Sequence, residues 1–314
     1  MDYTKIVKQA WEIAWKRRYL WVFGFFAGMG GNVIGNIGGR IDSEQASGIA
    51  SWLVAHPALA AGIVLGGLLL AIVFTVLQSL SMAGLISATG SLVRGQPNGF
   101  DATVNAGFRW FWRVFGMQVL LGLALIALIA ITVVPPIILI VTKQAGTIAL
   151  GAAWLVIVIL PFFIVLIGAA ILWDYAIRYA VLHDLTAGRA FSAGWRLLRD
   201  RLGQSVGIWA VMFGLGLAFG MILFVPMLVL GLPFLIAGMI NPWLGIVPAL
   251  LIGLPVVVAL ISVYGVFDVA YWSGAFQELT RTPEDPPQPA PPRPLTPAQD
   301  PDQPFELPPT AGMA

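Results

Sequence analysis

Six long apolar segments constrain what this chain can fold into more than any other feature. They cover roughly residues 19–38, 58–80, 114–138, 148–172, 207–230 and 244–266. As a helix, each segment is long enough to cross a bilayer hydrocarbon core of about 30 Å. The segments lack the alternating polar and apolar pattern of barrel strands, so helices must satisfy their backbone polar groups in lipid. The sequence therefore predicts an all-α polytopic membrane protein with about six transmembrane helices.

The composition favours a membrane protein over a soluble one. Only 10% of the residues are charged and the mean hydropathy is +0.88, whereas soluble domains carry about 25% charged residues. The first segment is the weakest, because residues 30–39 are Gly-rich and include Asn32 and Asn36. We interpret it as a retained signal-anchor helix rather than a cleaved signal peptide. Whether it crosses the membrane completely stays open.

The Lys and Arg residues are distributed unevenly between the two sides of the predicted membrane. One side carries only Arg40 and Lys143. The side that holds both termini carries the other fifteen of the seventeen: Lys5, Lys8, Lys16, Arg17, Arg18, Arg94, Arg109, Arg113, Arg178, Arg189, Arg196, Arg199, Arg201, Arg281 and Arg293. Because short basic loops stay cytoplasmic, we expect a plasma-membrane protein, in bacteria an inner-membrane protein, with both termini in the cytoplasm. These residues line membrane boundaries and form no separate basic domain, so no nucleic-acid partner is expected.

An internal repeat with an offset of 87 residues predicts two similar helices on the cytoplasmic side. Ala106–Gly107–Phe108–Arg109 aligns with Ala193–Gly194–Trp195–Arg196, and Gly116 aligns with Gly203. In each copy, apolar residues recur at i, i+4, i+7 and i+11, which is typical of an amphipathic helix. They are Val104, Phe108, Phe111 and Phe115 in the first copy, and Phe191, Trp195, Leu198 and Leu202 in the second.

Basic residues on these two helices are candidates for contact with lipid headgroups. Such helices lie in the headgroup layer, with aromatic residues at the acyl boundary and Arg residues reaching phosphate. The candidates are Arg109, Arg113, Arg189, Arg196, Arg199 and Arg201. We expect a weaker third copy at the N-terminus, where Lys5 and Lys8 oppose Trp11. The chain then consists of three units, each an amphipathic helix followed by a membrane hairpin. The alternative is ordinary juxtamembrane composition without a repeat.

Three ionisable residues lie near the cytoplasmic ends of the fourth and sixth segments. They are Asp174, Arg178 and Asp268. Asp174 precedes Arg178 by one helical turn, a spacing that favours an ion pair. Ionisable groups at membrane depth also mark ion or proton paths. We expect structural pairing and keep an ion or proton relay as the alternative.

The chain is predicted to divide into a membrane domain, residues 1–280, and a tail, residues 281–314. Helical character continues past the second, fourth and sixth segments into the cytoplasm, through residues 81–93, 173–182 and 267–279. The tail contains twelve Pro in 34 residues. A segment of this composition cannot bury enough apolar surface to fold, so we expect it to be disordered.

The sequence contains no convincing catalytic or metal-binding constellation. Residues 203–207 match the G-x-S-x-G pattern of serine hydrolases, but they open a membrane helix instead of following a strand. His56 is predicted on the opposite side of the membrane, and His183 precedes Ser205 without a third group at a telling spacing. Cys is absent, and His183 with Asp184 makes a weak metal site. We expect a protein without enzymatic activity, metal or cofactor.

One stretch of the cytoplasmic side resembles a group of bacterial membrane proteins. The stretch is His183–Asp184–Leu185–Thr186–Ala187–Gly188–Arg189–Ala190–Phe191–Ser192–Ala193–Gly194–Trp195–Arg196–Leu197–Leu198, followed by Arg201 and a span. Lys8–Gln9–Ala10–Trp11 and Tyr19–Leu20–Trp21–Val22–Phe23–Gly24 are similar to stand-alone members. The group resembles the membrane domain that precedes the catalytic barrel of some glycerophosphoryl diester phosphodiesterases. The resemblance covers about residues 1–280 and implies a six-helix membrane module. The Pro-rich tail stands where the barrel would be, so no catalytic residue carries over.

Two functions are compatible with these features. The first is a non-enzymatic module that binds anionic lipid at its cytoplasmic amphipathic helices and organises the membrane or a protein partner. The alternative is a permease or transporter subunit for a hydrophobic or amphiphilic substrate, with Pro-bent spans lining its path. Membrane phospholipids are the predicted partners, while a protein partner and the oligomeric state stay open.

Overall fold

The protein is an all-α polytopic membrane protein. The computed structural model describes residues 2–29, 48, 51–142 and 144–281. Of these residues 92% are helical, and none forms a strand. Five helices in this part of the chain are long and apolar enough to cross a membrane. The all-α membrane fold that the apolar segments predict is therefore confirmed.

The helices within the described ranges are named here in chain order. They are α1 (Tyr3–Lys16), α2 (Leu20–Met29), α3 (Pro57–Val93), α4 (Phe100–Val141), α5 (Ala145–Leu182), α6 (Ala187–Asp200), α7 (Leu202–Ile240), α8 (Pro242–Pro248) and α9 (Leu254–Thr280). A π-helical turn, Ala249–Gly253, joins α8 to α9. Prolines flank this turn and lack the N–H that a regular helix needs, which accounts for the local irregularity.

The second to sixth predicted spans all fall within helices of the structure. They correspond to α3, α4, α5, α7 and the continuous run from α8 to α9. The first predicted span matches the structure as far as Met29, where α2 ends after 10 residues. The rest of that span, and the Pro-rich tail from residue 282 onward, lie outside the described residues.

Three helices extend well beyond the apolar segments that they contain. α3 ends at Val93, α5 at Leu182 and α9 at Thr280. The prediction that helices two, four and six continue past their apolar segments is confirmed. With 37 residues, α3 is about 55 Å long, which exceeds the hydrocarbon thickness of a bilayer.

The C-terminal ends of α3, α5 and α9 meet at one end of the bundle. Gln277 Nε2 donates to the Gly90 carbonyl at 2.9 Å and so joins α9 to α3. Arg113 Nη1 donates to Asp184 Oδ1 at 2.7 Å and so joins α4 to the segment that follows α5. We call this the basic end, because its exposed residues include Lys5, Lys8, Arg17, Arg18, Arg94, Arg109, Arg189, Arg196 and Arg199.

The buried core lies toward the basic end, where the long helices pack against α1 and α2. Its members include Leu20, Leu85, Tyr175, Tyr271 and Phe276, each completely or almost completely buried. By contrast, at most 11% of the most apolar 18-residue window of each span is buried inside the protein. These windows present aliphatic side chains outward, as lipid contact requires. The packed core therefore positions the ends of the spans, while the spans themselves face lipid.

α2 and α9 approach each other closely through glycines. A Cβ atom added at Gly24 or at Gly265 lies under 3.0 Å from backbone of the opposite helix. Only glycine permits this separation, since any side chain forces the helices apart. The approach holds the described part of α2 against α9 near the basic end.

The two aligned amphipathic segments differ in one respect from the expectation of equivalent helices. The first segment continues without interruption into the span, as α4, whereas α6 ends at Asp200 and α7 begins at Leu202. Val114 of α4 is completely buried, and the repeat aligns it with Arg201. A charged side chain is costly to bury in that position. The chain instead turns at Arg201, which stays exposed.

Candidate functional site

Three helical segments surround the bundle at the basic end. They are α1, the start of α4 (residues 100–115) and α6, and we call them the interfacial segments. α1 packs on α9, the start of α4 packs on α3, and α6 packs on α5. The inward face of each segment includes a small buried residue, namely Ala10 in α1, Gly107 in α4 and Gly194 in α6. A Cβ at Gly107 would lie 2.7 Å from the Leu80 carbonyl oxygen, and one at Gly194 would lie 3.2 Å from the Ala176 nitrogen.

Large aromatic side chains of the interfacial segments point away from the core. The exposed fractions are 50% for Trp11, 65% for Phe108, 76% for Trp112 and 56% for Trp195. Half-buried Phe111 continues the outward face of α4. Phe108 and Trp112 of α4 are therefore directed outward, while the face that carries Gly107 and Trp110 packs on the core. Exposed aromatics beside charged residues are typical of the membrane interface.

The candidate headgroup residues fall into two groups. Arg109, Arg189, Arg196 and Arg199 are exposed, and no acidic side chain within the described ranges forms an ion pair with them. Arg201 is also exposed, and its Nη1 donates to Gln204 Oε1 at 3.2 Å. The exposed arginines of α6 are therefore available to an external anion, because no internal carboxylate compensates them.

Arg113 is already engaged inside the protein. In addition to its ion pair with Asp184, Nη1 donates to the Leu185 carbonyl at 3.0 Å. The Arg113 guanidinium also lies 4.7 Å from the ring centroid of Trp110, which the Arg109 guanidinium approaches at 4.9 Å. Arg113 thus ties α4 to the loop before α6, and Trp110 supports two guanidinium groups. The sequence offers a signal for Trp110, since it shares the inward helical face of Thr103 and Gly107.

Arg178 is the largest completely buried side chain of the described residues. Its Nη1 donates to Asp174 Oδ1 and to the Asp174 carbonyl, each at 2.7 Å. Nη2 donates to the Val269 carbonyl of α9 at 3.4 Å, and Nε has no partner. The ion pair that the spacing predicts is present, and it also joins α5 to α9. The complete burial of Arg178 could not be read from the sequence, because it depends on how α9 packs over α5.

Asp268 lies near this pair on the facing helix α9. It is close enough to interact electrostatically with both Asp174 and Arg178. Neither a hydrogen bond nor an ion pair to its carboxylate occurs within the part of the chain that the structure describes. Arg178 therefore forms an ion pair with Asp174 only, while Asp268 lies within electrostatic range of both, and the cluster carries an excess negative charge when both carboxylates are ionised.

His183 follows α5 and packs against Tyr179 and Phe276, with ring centroids 5.4 and 5.7 Å away. Its partial burial lowers the pKa of His183 below the ordinary value, and the positive charge of Arg94 lowers it further. Both effects disfavour the imidazolium. His183 consequently adds no positive charge to the basic end at neutral pH.

Ser205, the serine of the hydrolase-like pattern, is completely buried at the start of α7. Its hydroxyl accepts a hydrogen bond from Tyr175 at 3.0 Å and donates to the Arg201 carbonyl at 2.9 Å. These contacts tie α7 to α5 and hold the turn between α6 and α7. The Ser205 hydroxyl is thus occupied by two structural hydrogen bonds, one accepted and one donated.

The fold and its surface define a class, that of polytopic α-helical integral membrane proteins with a basic end. Comparison of the chain with protein families, with curated proteins and with solved structures gives no match. The resemblance to the membrane domain of the phosphodiesterases therefore stays a prediction.

Proposed function

We propose that this integral membrane protein is a non-enzymatic module that binds anionic lipid headgroups through its three interfacial segments. One observation carries the proposal: each segment exposes large aromatics, and α4 and α6 add exposed arginines that form no ion pair within the described ranges. Aromatic rings anchor at the acyl boundary while guanidinium groups reach phosphate above it. Through these contacts the protein organises the surrounding lipid or recruits a partner to it.

The magnitude of the effect follows from the number of available arginines. A basic side chain near an anionic membrane surface contributes about 1 kcal/mol. Arg109, Arg196 and Arg199 together are expected to supply about 3 kcal/mol of preference for anionic over neutral lipid. Arg113 is expected to add less, because Asp184 already compensates much of its charge.

The proposal also covers the orientation of the protein in the membrane and its relationship to a known membrane domain. The basic end faces the cytoplasm of a bacterial cell, with six spans crossing the plasma membrane and both termini inside. The charge distribution supports this orientation, since basic segments resist translocation. The protein is a stand-alone counterpart of the phosphodiesterase membrane domain, which the short motifs at residues 8–11, 19–24 and 183–198 support.

The test compares the unmodified protein and two triple variants, each purified and placed in nanodiscs of mixed phosphatidylcholine and phosphatidylglycerol. The enrichment of phosphatidylglycerol in the lipid shell is measured by native mass spectrometry. We expect the triple variant Arg109→Glu, Arg196→Glu, Arg199→Glu to lose the enrichment, because the interface then repels phosphate. The matched triple Arg→Lys variant keeps the charge and should retain most of it, losing only bidentate contacts.

Two further measurements make the result decisive. The enrichment of the unmodified protein should fall as salt rises, because exposed charges are screened. Thermal unfolding of all variants should be similar, since the three arginines form no internal ion pair within the described ranges. An unchanged lipid shell in the Glu variant, with insertion intact, contradicts the proposal.

A further inference from the structure

A cavity of about 480 Å³ lies between α5, α7 and α9, with Gly28 of α2 at its edge. Its volume falls within the range of small-molecule sites, about 300–1,000 Å³. Most of the wall is aromatic or aliphatic, and five aromatic side chains contribute: Trp209, Phe213, Phe219, Tyr264 and Trp272. Among the described residues that line it, one carries a carboxylate, Asp174.

The cluster of Asp174, Arg178 and Asp268, called here the acidic cluster, borders this cavity. Tyr264 and Trp272 of α9 both line the cavity, and Asp268 lies one helical turn from each of them. Residues at i, i+4 and i+8 share a helix face, so Asp268 is on the cavity side of α9. Asp174 thus lines the cavity, and Asp268 lies behind the wall within electrostatic range of Asp174, while Arg178 forms an ion pair with Asp174 only.

The Arg178 guanidinium lies next to Asp174 but is not part of the cavity wall. Arg178 is 0% exposed and its Nε has no hydrogen-bond partner. This N–H is a donor, which a cation cannot satisfy, so the charge preference of the cavity rests on the two carboxylates alone. The excess carboxylate makes a cationic occupant favourable and an anionic one unfavourable.

We propose that this cavity binds a lipophilic organic cation. The cation would be neutralised by Asp174 and Asp268, and its apolar groups would contact the aromatic wall. Aromatic faces attract organic cations, and the attraction is stronger when water is excluded. A bare metal ion fits less well, because hard cations take six or more oxygen ligands and the wall is mostly carbon.

The cavity is accessible from the lipid side of the protein. Phe213 and Leu217 of α7 line it, yet their side chains are 54% and 55% exposed. A hydrophobic cation that partitions into the bilayer can therefore reach the acidic cluster without unfolding of the core. Binding here is independent of headgroup contact at the basic end, and it is the recognition step that the alternative permease function requires.

The test uses tetraphenylphosphonium and tetraphenylborate, two ions of nearly the same shape and opposite charge. Their binding to the full-length protein in phosphatidylcholine nanodiscs is measured by equilibrium dialysis, with empty nanodiscs as background. We expect saturable binding of the phosphonium and none of the borate. Equal binding of the two ions, or no phosphonium binding above empty nanodiscs, overturns the proposal and indicates a space filled by acyl chains.

Three variants locate the site. Asp268→Asn should weaken phosphonium binding by about tenfold or more, because the excess charge is lost. It is preferred to Asp174→Asn, which leaves Arg178 buried without a counter-ion and endangers folding. Gly220→Leu fills the cavity, since space at the Gly220 Cβ position is open, and should also abolish binding.

The control for the filled cavity is Gly214→Leu. Gly214 is in the same helix and also has open space at its Cβ position, but it does not line the cavity. This variant should bind the phosphonium normally. Loss of binding in both leucine variants, or in neither, places the phosphonium elsewhere and refutes the assignment.

Discussion

Gly107 is the position where a single added methyl group tests the packing of the interfacial segments most directly. A Cβ there would lie 2.7 Å from the Leu80 carbonyl oxygen of α3. Restoring an ordinary contact requires α4 to move away from α3 by about 0.7 Å. That movement also strains the hydrogen bond between Ser79 and Gln118, which joins the same two helices. Overpacking of this kind costs about 1–3 kcal/mol.

Gly116 provides a matched control in the same helix. Nothing lies within 4 Å of its Cβ position, so Gly116→Ala gains helix propensity of up to about 1 kcal/mol without a clash. Because Gly107→Ala gains the same propensity, the difference between the two variants isolates the clash. We expect Gly107→Ala to be less stable than Gly116→Ala by about 1–3 kcal/mol.

The assay is thermal unfolding of the detergent-purified variants, followed by Trp fluorescence at one fixed scan rate. For a chain of this size, each kcal/mol shifts the midpoint by about 2–4 °C. The apparent midpoint of Gly107→Ala should therefore lie several degrees below that of Gly116→Ala. Equal midpoints refute the claim that α4 packs on α3 at this glycine.

Two further predictions concern topology and pH. Reporter fusions at Met1 and after Arg281 should both report the cytoplasm, because fifteen of the seventeen Lys and Arg residues lie on that side; an external signal from either fusion refutes the orientation. The depressed pKa of His183 means that the unfolded chain binds more protons as pH falls through 6.5, so stability is complete above that value and declines below it. The thermal midpoint should therefore fall less between pH 8 and about pH 5 in His183→Gln than in the unmodified protein, with His56→Gln as control; equal pH dependence in all three contradicts the assignment.

The long apolar helices were predictable because their signal is local. A helix in lipid satisfies its own backbone, so hydropathy alone indicates α3, α4, α5 and α7. The continuation of α3, α5 and α9 past the apolar segments was equally predictable, because residues that favour a helix follow each segment without a break. The sequence does not predict that α4 is continuous while α6 and α7 are separate helices. That difference depends on whether the residue at position 114 or 201 is buried in the folded protein.

The candidate site was predictable only where it depends on spacing along one helix. Asp174 and Arg178 are one turn apart, so their ion pair follows from the sequence. The position of Asp268 beside them depends on how α9 packs against α5, and no local pattern contains that information. The same holds for the cavity, because its walls come from α5, α7 and α9, which are far apart in the sequence.

Each interfacial segment packs on a different long helix, and this packing concentrates the core at the basic end. Those of α4 and α6 each lie on the helix that precedes them in the chain, α3 and α5 respectively, whereas α1 lies on the last helix, α9. Ile6 of α1 contacts Gly274 of α9, where a Cβ would lie 3.3 Å from its side chain. The N-terminal helix α1 therefore covers α9, which has no helix after it in the described chain to pack on it. This contact between the first and last described helices is long-range in sequence, and contacts of this kind slow folding more than local ones do.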